Sequence, residues 1–228
     1  DGDVGQCTIA STILYSIMAP GGGIYVKTGQ TALLALLMLL AGPALAQDIE
    51  TLTATCELCH GPQGVSVHDS IPIIAGQSPQ FLQKALRSYQ RWDRPCVKTR
   101  YPEEGNSGPR TDMCKITEGL SGEDMQALAT HYSKQPFVAA KQDYDEALAA
   151  TGATLHNEHC ETCHEGGGSL TEGSEPRLAG QWTPYLKKSI KYVPTGEHMV
   201  PPMMEREVSK FSADEIDALM NYYASQQD

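Results

Sequence analysis

The 228-residue chain carries 17 basic against 28 acidic side chains, a formal charge of −11. That balance excludes the basic face of a nucleic-acid binder and suits a protein that meets its partners by charge complementarity. Seven cysteines are many for a chain kept in a reducing compartment.

Residues 1–46 stand apart from the rest. Lys27 precedes an apolar run from Ala32 to Ala41, and Gly42-Pro43 and Ala44-Leu45-Ala46 follow. A basic residue, a short apolar stretch and an Ala-x-Ala site are the parts of a secretory signal peptide, and the run is shorter than a comfortable membrane span. Cleavage is expected after Ala46, with retention as an N-terminal anchor as the alternative. Met18 is a candidate start, which leaves residues 1–17, with Cys7, as upstream sequence. The expected location of the mature protein is the periplasm.

Cys56-Glu57-Leu58-Cys59-His60 comes next, and the pattern returns at Cys160-Glu161-Thr162-Cys163-His164. Cys-x-x-Cys-His is the attachment signature of a c-type haem. Two thiols three positions apart on a helical turn can form thioethers to both vinyl groups of one porphyrin, and the next residue places an imidazole beneath the iron. A bare Cys-x-x-Cys could be a redox dithiol or half a zinc site. Two copies, each followed by His and each opening a similar module, point instead to two covalently attached haems c. The porphyrins would supply much of the apolar core that aromatic side chains, at 7 %, do not.

The chain repeats itself. An offset of 104 superposes Cys56 on Cys160 and Ala75-Gly76-Gln77 on Ala179-Gly180-Gln181, and an offset of 91 superposes Leu120–Tyr132 on Phe211–Tyr223. The first copy therefore holds 13 extra residues between these landmarks. The expected organisation is a first domain over 47–136, a linker over 137–142 and a second domain over 143–228, each of a size that is marginal without a staple or cofactor. Ser78-Pro79 and Thr183-Pro184 read as a cap followed by a helix-compatible proline, before stripes of Phe81, Leu82, Ala85, Leu86, Tyr89 and of Tyr185, Leu186, Ile190, Val193. Ser121 with Asp124 and Ser212 with Glu215 read as capping boxes opening the last helix of each copy. Another helix is expected over about 144–159, and no segment alternates like a sheet strand. The fold class is all-α, two tandem domains each wrapped around one haem.

His60 and His164 each supply one axial nitrogen, and a low-spin electron carrier needs a second ligand. Met113 stands eight residues before Ser121, and Met204 stands eight before Ser212, so the repeat nominates this pair. Core packing is the ordinary role of a methionine, but these two are expected in irregular loops. Met203, Met199 and His198 are the rivals of Met204. His68, His131, His156, His159 and His198 read as surface or packing residues. The extra loop contains Cys96 and Cys114, the latter directly after Met113. A disulfide is the expected state after export, with a soft metal site or free thiols as alternatives.

At this point the chain resembles the class I, cytochrome c4-like dihaem proteins. It resembles more closely the cytochrome subunit of flavocytochrome c sulfide dehydrogenase, through Tyr144–His156, the haem motif that follows, Leu178–Leu186, Tyr132–Phe137 and the ending Tyr222–Gln227. The resemblance implies two class I cytochrome c domains with their haems close together. It also implies a partner subunit carrying FAD that oxidises sulfide, with this chain relaying single electrons from the flavin to a soluble cytochrome and not catalytic by itself. A free dihaem shuttle without a flavoprotein partner is the alternative. A catalytic dihaem enzyme would want an open iron, and both copies offer a methionine.

Overall fold

The computed structural model describes residues 48–100 and 109–227. The signal-peptide reading of 1–46, and Cys7 with it, lies outside the described residues. Among these, no helix is long and apolar enough to cross a membrane.

The first copy contains α1 (Ile49–His60), α2 (Pro79–Gln90), α3 (Met113–Thr117) and α4 (Gly122–Ser133); the second contains α5 (Glu146–His159), α6 (Thr183–Lys191), α7 (Pro202–Val208) and α8 (Ala213–Ser225). Within the extra loop of the first copy, the two-residue strands β1 (Thr99–Arg100) and β2 (Arg110–Thr111) pair antiparallel, Thr99 opposite Thr111. So short a pair has no alternation for a sequence reading to detect.

Capping explains most helix starts. Ser78 accepts from the Phe81 N–H at the head of α2. Ser121 and Ser212 close full capping boxes with Asp124 and Glu215, which satisfies two otherwise unpaired donors at each helix start. Asp145 caps α5 through the Leu148 N–H, so that helix begins after Tyr144 rather than at it. Thr183 is not the cap of α6. Trp182 holds that position without a side-chain cap, and the Thr183 hydroxyl is instead drawn to Gln142 Oε1 at 2.9 Å.

Two clusters form the repeat cores. Leu52, Leu82, Leu128, Ala129 and Tyr132 enclose Cys56, while Leu186, Leu219, Met220 and Tyr223 enclose Cys160. In the second copy α5 crosses α8 so closely that a Cβ on Gly152 would lie 2.1 Å from the Ala218 carbonyl oxygen. A glycine also pinches the chain after each haem motif. Gly64 and its equivalent Gly168 have φ of 80° and 82°, a conformation that disfavours a side chain. Their carbonyls accept from Ile74 and Ala75, and from Leu178 and Ala179, respectively.

The copies meet through a reciprocal exchange of glutamine amides. Gln181 accepts from the Ile73 N–H at 2.9 Å and donates to the Ile73 carbonyl at 2.8 Å. Gln77 accepts from the Arg177 N–H at 2.9 Å, with a longer return bond of 3.5 Å to the Arg177 carbonyl. The offset of 104 maps Gln77 onto Gln181 and Ile73 onto Arg177, so each copy reads the same backbone position of the other. Both glutamines are 2 % exposed. Buried amides require such partners. The Trp182 indole N–H donates to the Ser66 carbonyl at 2.9 Å, the Tyr185 N–H to Asp69 O at 3.1 Å, and the Ser78 hydroxyl to Gly173 O. Ile73, Ala75 and Ala140, with Phe137 and Trp182 against them, form a third apolar cluster along this seam.

Candidate haem sites

Each Cys-x-x-Cys-His run lies where the first helix of its copy ends. Cys56, Cys59 and His60 occupy the last turn of α1, and Cys160 caps α5 immediately before Cys163 and His164. The second residue of each motif is Glu in both copies, and its carboxylate ties down the following turn. Glu57 accepts from the Gln63 N–H at 2.9 Å. Glu161 accepts from the Gly166 and Gly167 N–H groups at 2.8 and 3.0 Å, bonds that, with Gly167 foremost, hold its carboxyl below the ordinary range. The sequence reading did not single out these glutamates, although their identity at equivalent positions was the available signal.

The residues fit a haem better than a zinc ion or a reactive dithiol. His60 is 7 % exposed and its Nδ1 donates to the Pro72 carbonyl at 2.8 Å, which leaves Nε2 as the nitrogen free to ligate iron. Burial lowers the His60 pKa, partly offset by that bond, and a neutral imidazole is the ligating form. His164 stands in the same relation to Pro176, whose carbonyl favours its protonation against the lowering by burial, yet its buried Nδ1 completes no hydrogen bond of ordinary geometry. Burial raises the Cys56 thiol to about 11 and also raises Cys59 and Cys160. A reactive dithiol nucleophile requires the opposite shift. Among the described residues, neither motif gathers three metal-binding side chains at ligand spacing, fewer than a structural zinc site requires.

The two copies differ behind the motif. In the second, His156 is fully buried, with Nδ1 3.0 Å from the Tyr223 hydroxyl and Nε2 2.8 Å from Glu161 Oε2. In the first, Leu52 takes the equivalent position, and the Tyr132 hydroxyl, equivalent to that of Tyr223, completes no hydrogen bond of ordinary geometry.

Both methionines nominated as sixth ligands lie in helices and not in irregular loops. Met113 opens α3 behind the Asp112 cap, and Met204 is the third residue of α7. Pro202 takes the first helical position, where a proline starts a helix well. Met204 is half-buried, whereas Met203 is 61 % and Met199 67 % exposed. His198 is buried, with Nδ1 3.1 Å from the Ser189 carbonyl. Cys96 and Cys114 are joined as a disulfide with Cα atoms 5.6 Å apart, and Asp112 brings a carboxylate oxygen within 4.8 Å of the sulfurs.

Residues 147–222 match the family model described as cytochrome C oxidase, cbb3-type, subunit III. Cytochrome c4 of Azotobacter vinelandii is 28 % identical over 185 residues, 74 % of this chain and 83 % of that protein. Cytochrome c-554(548) of Halomonas halodenitrificans is 33 % identical over 95 residues, 42 % of this chain and 99 % of its own length. The crystal structure of reduced recombinant cytochrome c4 from Pseudomonas stutzeri superposes with a TM-score of 0.62 at 27 % identity, covering 79 % of this chain and all of that one. The chain belongs to the cytochrome c4-like dihaem family. Membership brings covalently bound haem c and electron transfer, and it agrees with the two motifs and the helical tandem fold. A thiosulfate dehydrogenase (TsdBA) from Marichromatium purpuratum also superposes, with a TM-score of 0.58 at 26 % identity, over 75 % of this chain and 36 % of that chain.

Proposed function

We propose that this dihaem protein is the periplasmic electron-transfer subunit of a sulfur-compound dehydrogenase. Its expected partner is a sulfide-oxidising subunit that carries FAD, and its expected acceptor is a soluble cytochrome. In this reading Cys56 and Cys59, and Cys160 and Cys163, hold the two porphyrins; His60 with Met113, and His164 with Met204, ligate the irons. Each haem supplies a one-electron couple. The chain's own work is to fix the two sites in one rigid body, set their burial and exclude water. The observation that carries the proposal is the seam: the buried Gln77/Gln181 exchange fixes one copy against the other, as a relay between two centres requires. The stretch Tyr144–Leu186 supports the flavoprotein partner through its resemblance.

A free shuttle is the second reading, favoured by cytochrome c4 relatives that match most of the chain. Purification under native conditions separates the two. Flavin absorbance and a second, larger polypeptide co-eluting with the haem support the dehydrogenase subunit, and a haem protein that always elutes alone supports the shuttle.

A further inference from the structure

His156 is fully buried behind the second haem motif, and both its ring nitrogens are engaged. The bonds form one line. At its outer end Glu161, with a side chain 39 % exposed, meets solvent and lies 2.8 Å from Nε2. At its inner end the Tyr223 hydroxyl, 3.0 Å from Nδ1, reaches on to the Cys160 sulfur. The line therefore joins water to a haem-attachment cysteine through an imidazole. In the first copy Leu52 replaces that imidazole, and the Tyr132 hydroxyl faces the Cys56 sulfur directly.

The charges around the ring favour a proton that comes and goes. The Gly167 and Gly166 amides hold Glu161 ionised, so a protonated ring has its counter-charge at hydrogen-bond distance. Burial first, and Cys160 second, raise the Tyr223 phenol well above its usual value, so its hydroxyl has one proton to place. With the ring neutral and its Nε2–H on Glu161, that hydroxyl donates to Nδ1. With the ring protonated, Nδ1–H donates to the tyrosine oxygen, and the hydroxyl proton turns to the Cys160 sulfur. Tyr222, its ring centre 5.3 Å away, is also raised by burial first and brings no charge. His164 is lowered by burial first. Along α5, His159 is drawn to Glu158 and Glu207 instead.

We propose that His156 is a redox-linked proton site of the second haem, taking up one proton from solvent through Glu161 as the iron takes up one electron. The electron removes one positive charge from the haem, and the proton restores it on the ring. By linkage, a protonated ring favours the ferrous state. Leu52 can hold no proton, so the first haem lacks this coupling. His156 acts through Tyr223 and Cys160 and is a positioning residue. The inference rests on the two-haem assignment and not on a flavoprotein partner, so it is tested on the isolated holoprotein and survives the free-shuttle outcome.

Between about pH 5 and pH 9 the reduction equilibrium of the second haem should fall by about tenfold, or 59 mV for a one-electron couple, while that of the first stays level. His156→Leu, which copies the first half, should flatten the second profile. Tyr223→Phe, which keeps the ring and its carboxylate, should give less than half of the wild-type fall. Nitrogen-15 NMR of the histidine rings supplies a readout apart from electron transfer. One ring signal, absent from His156→Leu, should titrate at higher pH in the ferrous protein than in the ferric.

A second-haem potential that does not follow pH would overturn the proposal. So would equal pH profiles for the two haems, or a profile that persists in His156→Leu while only the absolute potential moves, which is the mark of altered packing. Should His156→Leu fail to retain both haems, Glu161→Gln carries the test. A second-haem profile displaced to lower pH supports the proposal, and a wild-type profile refutes it.

Discussion

The α5–α8 crossing makes a demand that one methyl group can test. A Cβ on Gly152 would lie 2.1 Å from the Ala218 carbonyl oxygen, 2.5 Å from its carbon and 2.8 Å from Tyr222 Cβ. Ordinary carbon–oxygen contact needs roughly 3.4 Å, and a gap opened by 0.5–1 Å forfeits about a quarter to a half of the dispersion attraction along it. The obstacle is backbone and cannot rotate away, so Gly152→Ala should cost about 3 kcal/mol, at the upper end of overpacking effects. Better helix propensity returns about 1 kcal/mol, which leaves a net loss of about 2 kcal/mol. Urea titration of the oxidised holoprotein, followed by far-ultraviolet circular dichroism, should show a midpoint lower by about 1 M at an unchanged slope of roughly 2 kcal/mol/M. Gly122→Ala is the control. No heavy atom lies within 4 Å of its added methyl, and it should be neutral or stabilising by up to about 1 kcal/mol. Equal midpoints for the two variants would refute the close crossing.

Gln181→Leu should leave the Ile73 N–H without a partner and its carbonyl with only a 3.4 Å bond from Gln77, and cost about 2–3 kcal/mol in the same titration; a loss below about 0.5 kcal/mol, within the range of an ordinary surface change, would show that the exchange does not hold the copies together. Met204→Ala should remove the weak sulfur-to-ferric-iron absorbance from one haem and lower its potential, while Met203→Ala, at an exposed position, should change neither; the reverse result would move the ligand to Met203. Reducing the Cys96–Cys114 bond, which spans 18 residues, should cost about 3 kcal/mol on the chain-entropy estimate and make the first haem easier to bind with exogenous ligands than the second. Intact mass before and after reduction should differ by two hydrogens, and a metal released as thiols appear would replace the disulfide with a metal site.

Local chemistry was legible in the sequence, and long-range chemistry was not. The haem motifs, the capping boxes at Ser121 and Ser212 and the stripe of α2 are all written within a few residues of one another. The glutamine exchange joins residues about a hundred positions apart, so no periodicity announces it. Its only trace is the recurrence of Ala-Gly-Gln at the same offset. Thr183 failed as a cap because Gln142, the last residue of the expected linker, takes both its hydroxyl and its N–H. The glutamates of the motifs were visible as letters, but their partners are set by folding. Met204 sits in a helix and not in the expected loop because Pro202 begins one.

In the glutamine seam, residue i of one half meets residue j of the other, and j of the first meets i of the second. That is the rule of an isologous two-fold interface between identical subunits, here carried inside one polypeptide. The arrangement is what fusing the two chains of a homodimer would leave behind. It also means that the seam can be copied: the second half already carries both Gln181 and the backbone of Arg177, the two complementary elements that the exchange joins.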